Sequence, residues 1–207
     1  TDGEKAKAKK SLDDLGDYAK FKKTAIKGFN GSASPAFKYF TALHNVILIV
    51  FSGTVMLKAT PVVFGWGQKH GFLAAYCDAD KSMWSEGGFG YWATIFYLSK
   101  YYELLDTVLQ LLKGRPPPHF FLHVYHHSLM GWAWFAVVKN WCGGDTWFGA
   151  WANSFIHILM YAYYFMSAVG IPCPYKKYMT QLQLIQFVVC FVHGWTVIYY
   201  DTAPAWL

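Results

Sequence analysis

Four histidines crowd one short run of the chain, at His119, His123, His126 and His127. On a helix, residues three and four positions apart share a face, so His123 stacks beside His126 and His127 and three imidazoles converge. Imidazole changes charge near neutral pH, which suits it to acid, base or nucleophilic catalysis and to metal ligation. The residues between these histidines are mostly apolar, and an imidazole desolvated there without a partner is costly. Three clustered together therefore point to a working group. A single histidine bonded to a backbone or tyrosine partner is the reading for the lone His44 and His193.

Three further polar stripes stand out against apolar surroundings. Lys100, Glu103 and Asp106 follow one another at steps of three. Lys100 and Glu103 can pair, which lowers the cost of placing both at membrane depth and would also suit a purely structural ion pair. Asp106 is then placed to accept the second N–H of an imidazole from the next helix. Asn153, His157, Tyr161 and Tyr164 share a second stripe, and Gln183, Gln186, Cys190 and His193 a third. Interhelical hydrogen bonding alone explains the amides, but explains His157 less well. Two chemistries fit histidines gathered in this way: imidazole catalysis, or the iron chemistry of membrane desaturases and hydroxylases. The second needs several histidine boxes, and with one box plus His157 and His193 the ligand set is short.

These groups must be held by membrane helices. Of 207 residues 55% are hydrophobic and 14% charged, against about 25% charged in an average soluble domain. A span needs roughly 20 apolar residues to cross a hydrocarbon core about 30 Å thick. Five stretches qualify: 37–57, 91–112, 119–138, 147–169 and 178–200. The apolar residues from Pro61 to Cys77 are interrupted by Gly65, Gly67, Gln68, Lys69, His70 and Gly71, which reads as a loop or re-entrant piece rather than a sixth span. The net charge of +6 comes largely from a lysine-rich leader over residues 1–36, within which residues 12–29 suit an interfacial helix. Positive charge gathered before the first apolar run fits an anionic bilayer face and not a nucleic acid. The lysine and arginine bias puts this leader in the cytosol together with Lys113, Arg115, Lys176 and Lys177. Cys77, Cys142, Cys173 and Cys190 form no metal or redox motif and read as thiols. No signal peptide is visible in a chain that opens on TDGEKAKAKK.

Four motifs in order resemble the ELO family of very-long-chain fatty acid elongases. They are Lys100-Tyr101-Tyr102-Glu103-Leu104-Leu105-Asp106-Thr107, His123-Val124-Tyr125-His126-His127, Asn153-Ser154-Phe155-Ile156-His157 running to Met160-Tyr161-Ala162-Tyr163-Tyr164, and Thr180-Gln181-Leu182-Gln183-Leu184-Ile185-Gln186-Phe187. Leu43-His44-Asn45 resembles a weaker family motif, and the likeness covers about residues 37–200. The resemblance implies an all-α, polytopic membrane bundle: an inverted barrel of helices around a substrate tunnel. It further implies a 3-ketoacyl-CoA synthase of the endoplasmic reticulum. The family has seven helices, so the five spans imply that its first and last helices are absent here.

The residue reading and the resemblance meet in one expected mechanism. His126 attacks the acyl-CoA thioester to give an acyl-imidazole, and malonyl-CoA then decarboxylates and supplies the attacking enolate. His123 and His127 hold or polarise the nucleophile, and His157 with Asn153 stabilises the thioester oxygen or the enolate. Lys100, Glu103, Asp106, Tyr161 and Gln183 are the motif members expected to line the substrate. Lys113, Arg115, Lys176 and Lys177 are the candidate CoA-phosphate ligands, a role that competes with plain orientation signalling. No bound cofactor and no metal are expected. The expected partners are acyl-CoA, malonyl-CoA and the lipid bilayer, with the reductases and dehydratase of the elongation cycle and a second copy of the chain as further candidates. A truncated non-catalytic elongase fragment and a di-iron membrane oxidase are the competing readings.

Overall fold

The computed structural model describes residues 34–78, 80–112, 120–141 and 143–202. Lys113, Arg115, His119, Cys142 and the candidate interfacial helix at 12–29 lie outside the described residues. Within them the chain is all helix, with no strand. The elements are α1 (Pro35–His70), α2 (Phe72–Cys77), α3 (Ser82–Ser85), α4 (Phe89–Leu112), α5 (Phe120–Ala136), α6 (Trp147–Val169) and α7 (Met179–Thr202). A π turn, Val137–Trp141, extends α5, and short 3-10 turns precede α6 and α7.

The segment from Pro61 to Cys77 is not a loop. α1 continues through Pro61 to His70 as one helix of 36 residues, about 54 Å long at 1.5 Å per residue. Proline removes one backbone N–H, and side chains bind across the weakened turn. Thr60 Oγ1 donates to the Met56 carbonyl at 2.6 Å, and Trp151 Nε1 of α6 donates to Thr60 Oγ1 at 3.2 Å. Neighbouring helices and threonine hydroxyls commonly stabilise proline in this way inside membranes. The helix ends at Gly71, whose φ of 94° is open to glycine. α2 then turns back against α1.

α1 and α6 form the most extensive helix pair in the bundle. The buried stripe of α1 reads Thr41, Asn45, Leu48, Ser52, Val55 and Ala59, alternating steps of four and three, and α6 answers with Ala150, Ser154, His157 and Tyr161 at the same steps. That alternation keeps one seam facing the partner helix, and the small residues on it let the backbones approach. Polarity is inverted relative to a soluble protein. Thr41, His44, Asn45 and Ser52 are inside, whereas Tyr39, Leu43, Val50 and Leu57 face out.

α1 and the stretch Lys176–Tyr200 are long and apolar enough to cross a bilayer. α7 turns Ile185, Val188, Phe191, Val192 and Trp195 outward and keeps Gln183, Gln186, Cys190 and His193 half-buried. α4 has the length, at 24 residues, but carries Lys100, Glu103 and Asp106, all of them buried. This is an all-α membrane protein.

The apolar core lies at one end of the bundle. It joins Val55, Ala59 and Val63 of α1 to Ala75, Met83, Phe89, Ala93, Phe96, Trp134 and Ala150. The α2–α4 connection closes that end. Asp78 accepts the Met83 and Trp84 amides at 2.8 and 3.1 Å and so caps α3, while Trp147 Nε1 donates to the Ala75 carbonyl at 3.0 Å. In the same connection, the Ser82 amide and hydroxyl hold the Asp80 carboxyl below the usual carboxylate range. α4 thus divides its inner face between two environments. Phe89, Ala93 and Phe96 belong to the core, and one turn further Ser99, Lys100, Glu103 and Asp106 begin the polar site.

Candidate active site

α4 supplies the charged ridge. Lys100, Glu103 and Asp106 stand one turn apart on its inner face and are 5%, 3% and 6% exposed, so none can be neutralised by water. Buried charge is tolerable only when paired and hydrogen-bonded, and each of the three has two or more polar partners. Lys100 Nζ donates to Glu103 Oε1 at 2.8 Å and to Asn153 Oδ1 of α6 at 3.0 Å, and sits 4.0 Å above the Phe96 ring centre. Glu103 Oε1 also accepts from Ser99 Oγ at 3.1 Å and lies 3.6 Å from His157 Nδ1. The Asn153 amide oxygen is committed to a lysine, which leaves its nitrogen to donate.

Asp106 makes a second cluster one turn along. Tyr161 donates its hydroxyl to Asp106 Oδ2 at 2.6 Å, and His44 Nε2 of α1 lies 2.8 Å from Oδ1. The expectation that Asp106 orients an imidazole from the next helix is therefore corrected. Its imidazole comes from α1, because the α1–α6 seam brings His44 against α4, whereas His123 of α5 bonds Thr107 at 2.9 Å. His44, read from sequence as a lone histidine with a backbone or tyrosine partner, faces a carboxylate instead. It is the site residue that the spacing of histidines did not find, and the short likeness at Leu43-His44-Asn45 was its only signal.

α5 contributes the histidine box. The ring centres of His123 and His127 are 4.4 Å apart and those of His126 and His127 5.7 Å apart, and the His126 ring meets Phe187 of α7 edge-on at 5.7 Å. All three rings are half-buried. His157 is buried and stands at 89° to the Tyr161 ring, 5.4 Å away.

Lys100, Glu103 and Asp106 of α4 thus meet Asn153, His157 and Tyr161 of α6, and α5 adjoins α4 through His123 on Thr107, with the rings of His126 and His127 beside it. Other expected residues stay apart. Gln183 is half-buried and bonds Met160 Sδ at 3.4 Å, outside the charged network. Lys176 and Lys177 are exposed at the start of α7, over the rings of Tyr163 and Tyr178. His193 lies towards the other end, stacked on Phe148 at 4.6 Å. Cys173 and Cys190 are free thiols. Among the described residues no three histidine, cysteine or carboxylate side chains converge closely enough to hold a metal ion. An apolar cleft of about 500 Å³ opens between α1 and α4, lined by Val46, Val50, Phe51, Thr54, Trp92 and Ile95, and contains none of the site residues.

The arrangement can do three things chemically. It offers imidazoles as nucleophile and base, an amide nitrogen and imidazole to meet developing negative charge, and a fixed ion pair that keeps these groups aligned.

Comparison with known proteins supplies the lineage. The model of the ELO family, described as the GNS1/SUR4 family, matches residues 18–204. "Fatty acid elongase sre1" of Dictyostelium discoideum is 39% identical over 166 residues, 78% of this chain and 60% of that protein. "Fatty acid elongase 4" of Trypanosoma brucei brucei is 39% identical over 113 residues, 54% of this chain and 45% of its own length. "Very long chain fatty acid elongase 1" of Homo sapiens is 46% identical over 105 residues, 49% of this chain and 38% of its own length. The chain spans between about 40 and 60% of the length of these curated relatives. With the match to the family model running over nearly its whole length, the chain belongs to the ELO (GNS1/SUR4) family.

Proposed function

We propose that the chain is a fatty acid elongase of the endoplasmic reticulum membrane, a 3-ketoacyl-CoA synthase that condenses long-chain or polyunsaturated acyl-CoA with malonyl-CoA. The observation that carries this reading is the buried ion pair of Lys100 and Glu103, bonded to Asn153 and 3.6 Å from His157, beside a cluster of three imidazoles. Keeping so much polarity in a membrane helix costs about 2.5 to 3.5 kcal/mol per charged residue at mid-span before pairing, which favours a functional reason for it.

In the reaction, a ring nitrogen of neutral His126 attacks the thioester carbonyl. The carbon–sulfur bond breaks, and the departing CoA thiolate takes the proton from the other ring nitrogen. Malonyl-CoA then binds, its carboxylate carbon leaves as carbon dioxide, and the electron pair of that bond becomes the enolate. The enolate attacks the acyl-imidazole, the carbon–nitrogen bond breaks, and His126 recovers a proton that enters from solvent. Splitting the condensation in two replaces one difficult step by two easier ones.

The remaining groups have roles in this scheme. The Asn153 amide nitrogen and His157 meet the oxygen on which negative charge develops. His123, held by Thr107, and His127 keep the box in register. Lys176 and Lys177, with Lys113 and Arg115, are the cations for the CoA phosphates on the cytosolic side.

The test uses purified protein in detergent with labelled malonyl-CoA and acyl-CoA, with iron measured on the same preparation. The wild type forms 3-ketoacyl-CoA and releases carbon dioxide, and His126→Ala abolishes product. Undiminished product from His126→Ala would remove it as the nucleophile. Stoichiometric iron with oxygen-dependent turnover and no decarboxylation would replace the elongase reading by an oxidase.

A further inference from the structure

We propose that His44 is a positioning residue for this reaction, acting through Asp106 and Tyr161 on the ring of His157; the inference rests on the elongase reading above. His44 is 2% exposed, and its Nε2 lies 2.8 Å from Asp106 Oδ1. The other oxygen of Asp106 accepts the Tyr161 hydroxyl at 2.6 Å. Facing a carboxylate oxygen already supplied with lone pairs, Nε2 must carry the proton. In the neutral ring Nδ1 is then the acceptor, and it is buried with no hydrogen-bond partner among the described residues. The opposite tautomer would set lone pair against lone pair at Nε2 and leave an unpaired N–H in a dry site.

The result is a bridge across three helices. His44 of α1 holds one oxygen of Asp106 on α4, which fixes the carboxylate plane, and the second oxygen then fixes the phenol of Tyr161 on α6. Tyr161 is fully buried and presents its ring at 89° to His157, one turn away on the same helix. On its other side His157 Nδ1 lies 3.6 Å from Glu103 Oε1. Tyr102 covers the His44 ring, 5.1 Å between centres. A ring confined between Glu103 and Tyr161 has little freedom, and a small misplacement of a catalytic group lowers the rate steeply.

Two variants separate positioning from mere filling of space. His44→Leu removes the donor, whereas His44→Gln puts an amide nitrogen where Nε2 stood and keeps it. For His44→Leu, kcat falls by about ten-fold or more, the rate equivalent of one charge-assisted hydrogen bond, while KM for both CoA substrates moves little. His44→Gln recovers most of kcat. A second readout does not need turnover: diethylpyrocarbonate modification of His157, followed by peptide mass spectrometry, speeds up in His44→Leu and returns towards the wild-type rate in His44→Gln. If neither kcat nor His157 modification changes in His44→Leu, the positioning role is wrong, while wild-type condensation keeps the elongase reading. If the wild type does not condense its substrates but His157 is loosened as described, the elongase reading fails and the bridge stands. Loss of kcat in both variants with unaltered His157 reactivity also overturns it, since the effect would not pass through that ring.

Discussion

Lys100 and Glu103 show at the residue scale why a family motif survives in a hostile place. Each is nearly inaccessible, and each has its partner one turn away, so the pair enters the bilayer as a neutral unit. Removing one member leaves the other charged and buried. Lys100→Met is expected to destabilise the detergent-solubilised protein by about 3 to 5 kcal/mol, the cost of breaking a buried ion pair from one side. The double variant Lys100→Met with Glu103→Gln removes both charges and is expected to recover a large part of that loss. Thermal unfolding of the three proteins measures the difference, and a double variant as unstable as the single one would show that shape and not charge pairing is what matters. The steps of three made the Lys100–Glu103 contact legible in the sequence. The Asn153 contact was not, because no spacing rule links α4 to α6.

Elements set how closely those side chains can gather. α1 and α6 meet along stripes that include small residues, and Ala150 on that seam is 1% exposed. Ala150→Leu forces extra atoms into a close helix contact and is expected to cost about 1 to 3 kcal/mol. Leu57→Ala, on the same helix pair but 69% exposed, should change stability by about 0.5 kcal/mol or less. Comparing the two melting curves tests whether the seam, and not helix propensity, holds α1 to α6. Equal losses would point elsewhere. The same element explains the misread segment after Pro61. Gly65, Gly67 and Gly71 with Gln68, Lys69 and His70 are local signals for a break, but Trp151 of α6 binds Thr60 beside the proline, and packing against α6 and α2 offsets what propensity disfavours.

For the whole molecule, the governing fact is its inside-out surface. Trp132 and Trp195 are 73% and 60% exposed, with Phe191, Val188 and Leu184 beside the latter. Exposed apolar area of this extent would aggregate in water, and is the natural outer face of a membrane protein. Reconstituted into lipids with brominated acyl chains, the protein should show strong quenching of its tryptophan emission, and the double variant Trp132→Phe with Trp195→Phe should lose a disproportionate share of the quenched signal. Quenching by a water-soluble agent instead would place those faces in solvent. The polar site lies away from this lipid face, between α4, α5 and α6, and the apolar core closes the other end.

What the amino-acid order determined by itself is whatever depends on near neighbours along a helix. The all-helical class, the shared face of His123, His126 and His127, the Lys100–Glu103 pair and the stripe of Asn153, His157 and Tyr161 all follow from a repeat of 3.6 residues in apolar surroundings. Family membership followed too, because motifs are strings. Tertiary structure alone decided which stripe faces which. It gave Asp106 to His44 instead of an α5 histidine, left Gln183 outside the charged network, and carried α1 through Pro61. The physical reason is that contacts between helices depend on rotation and offset about their axes, and these are set by the summed packing of small and large residues along whole seams, which no local spacing records.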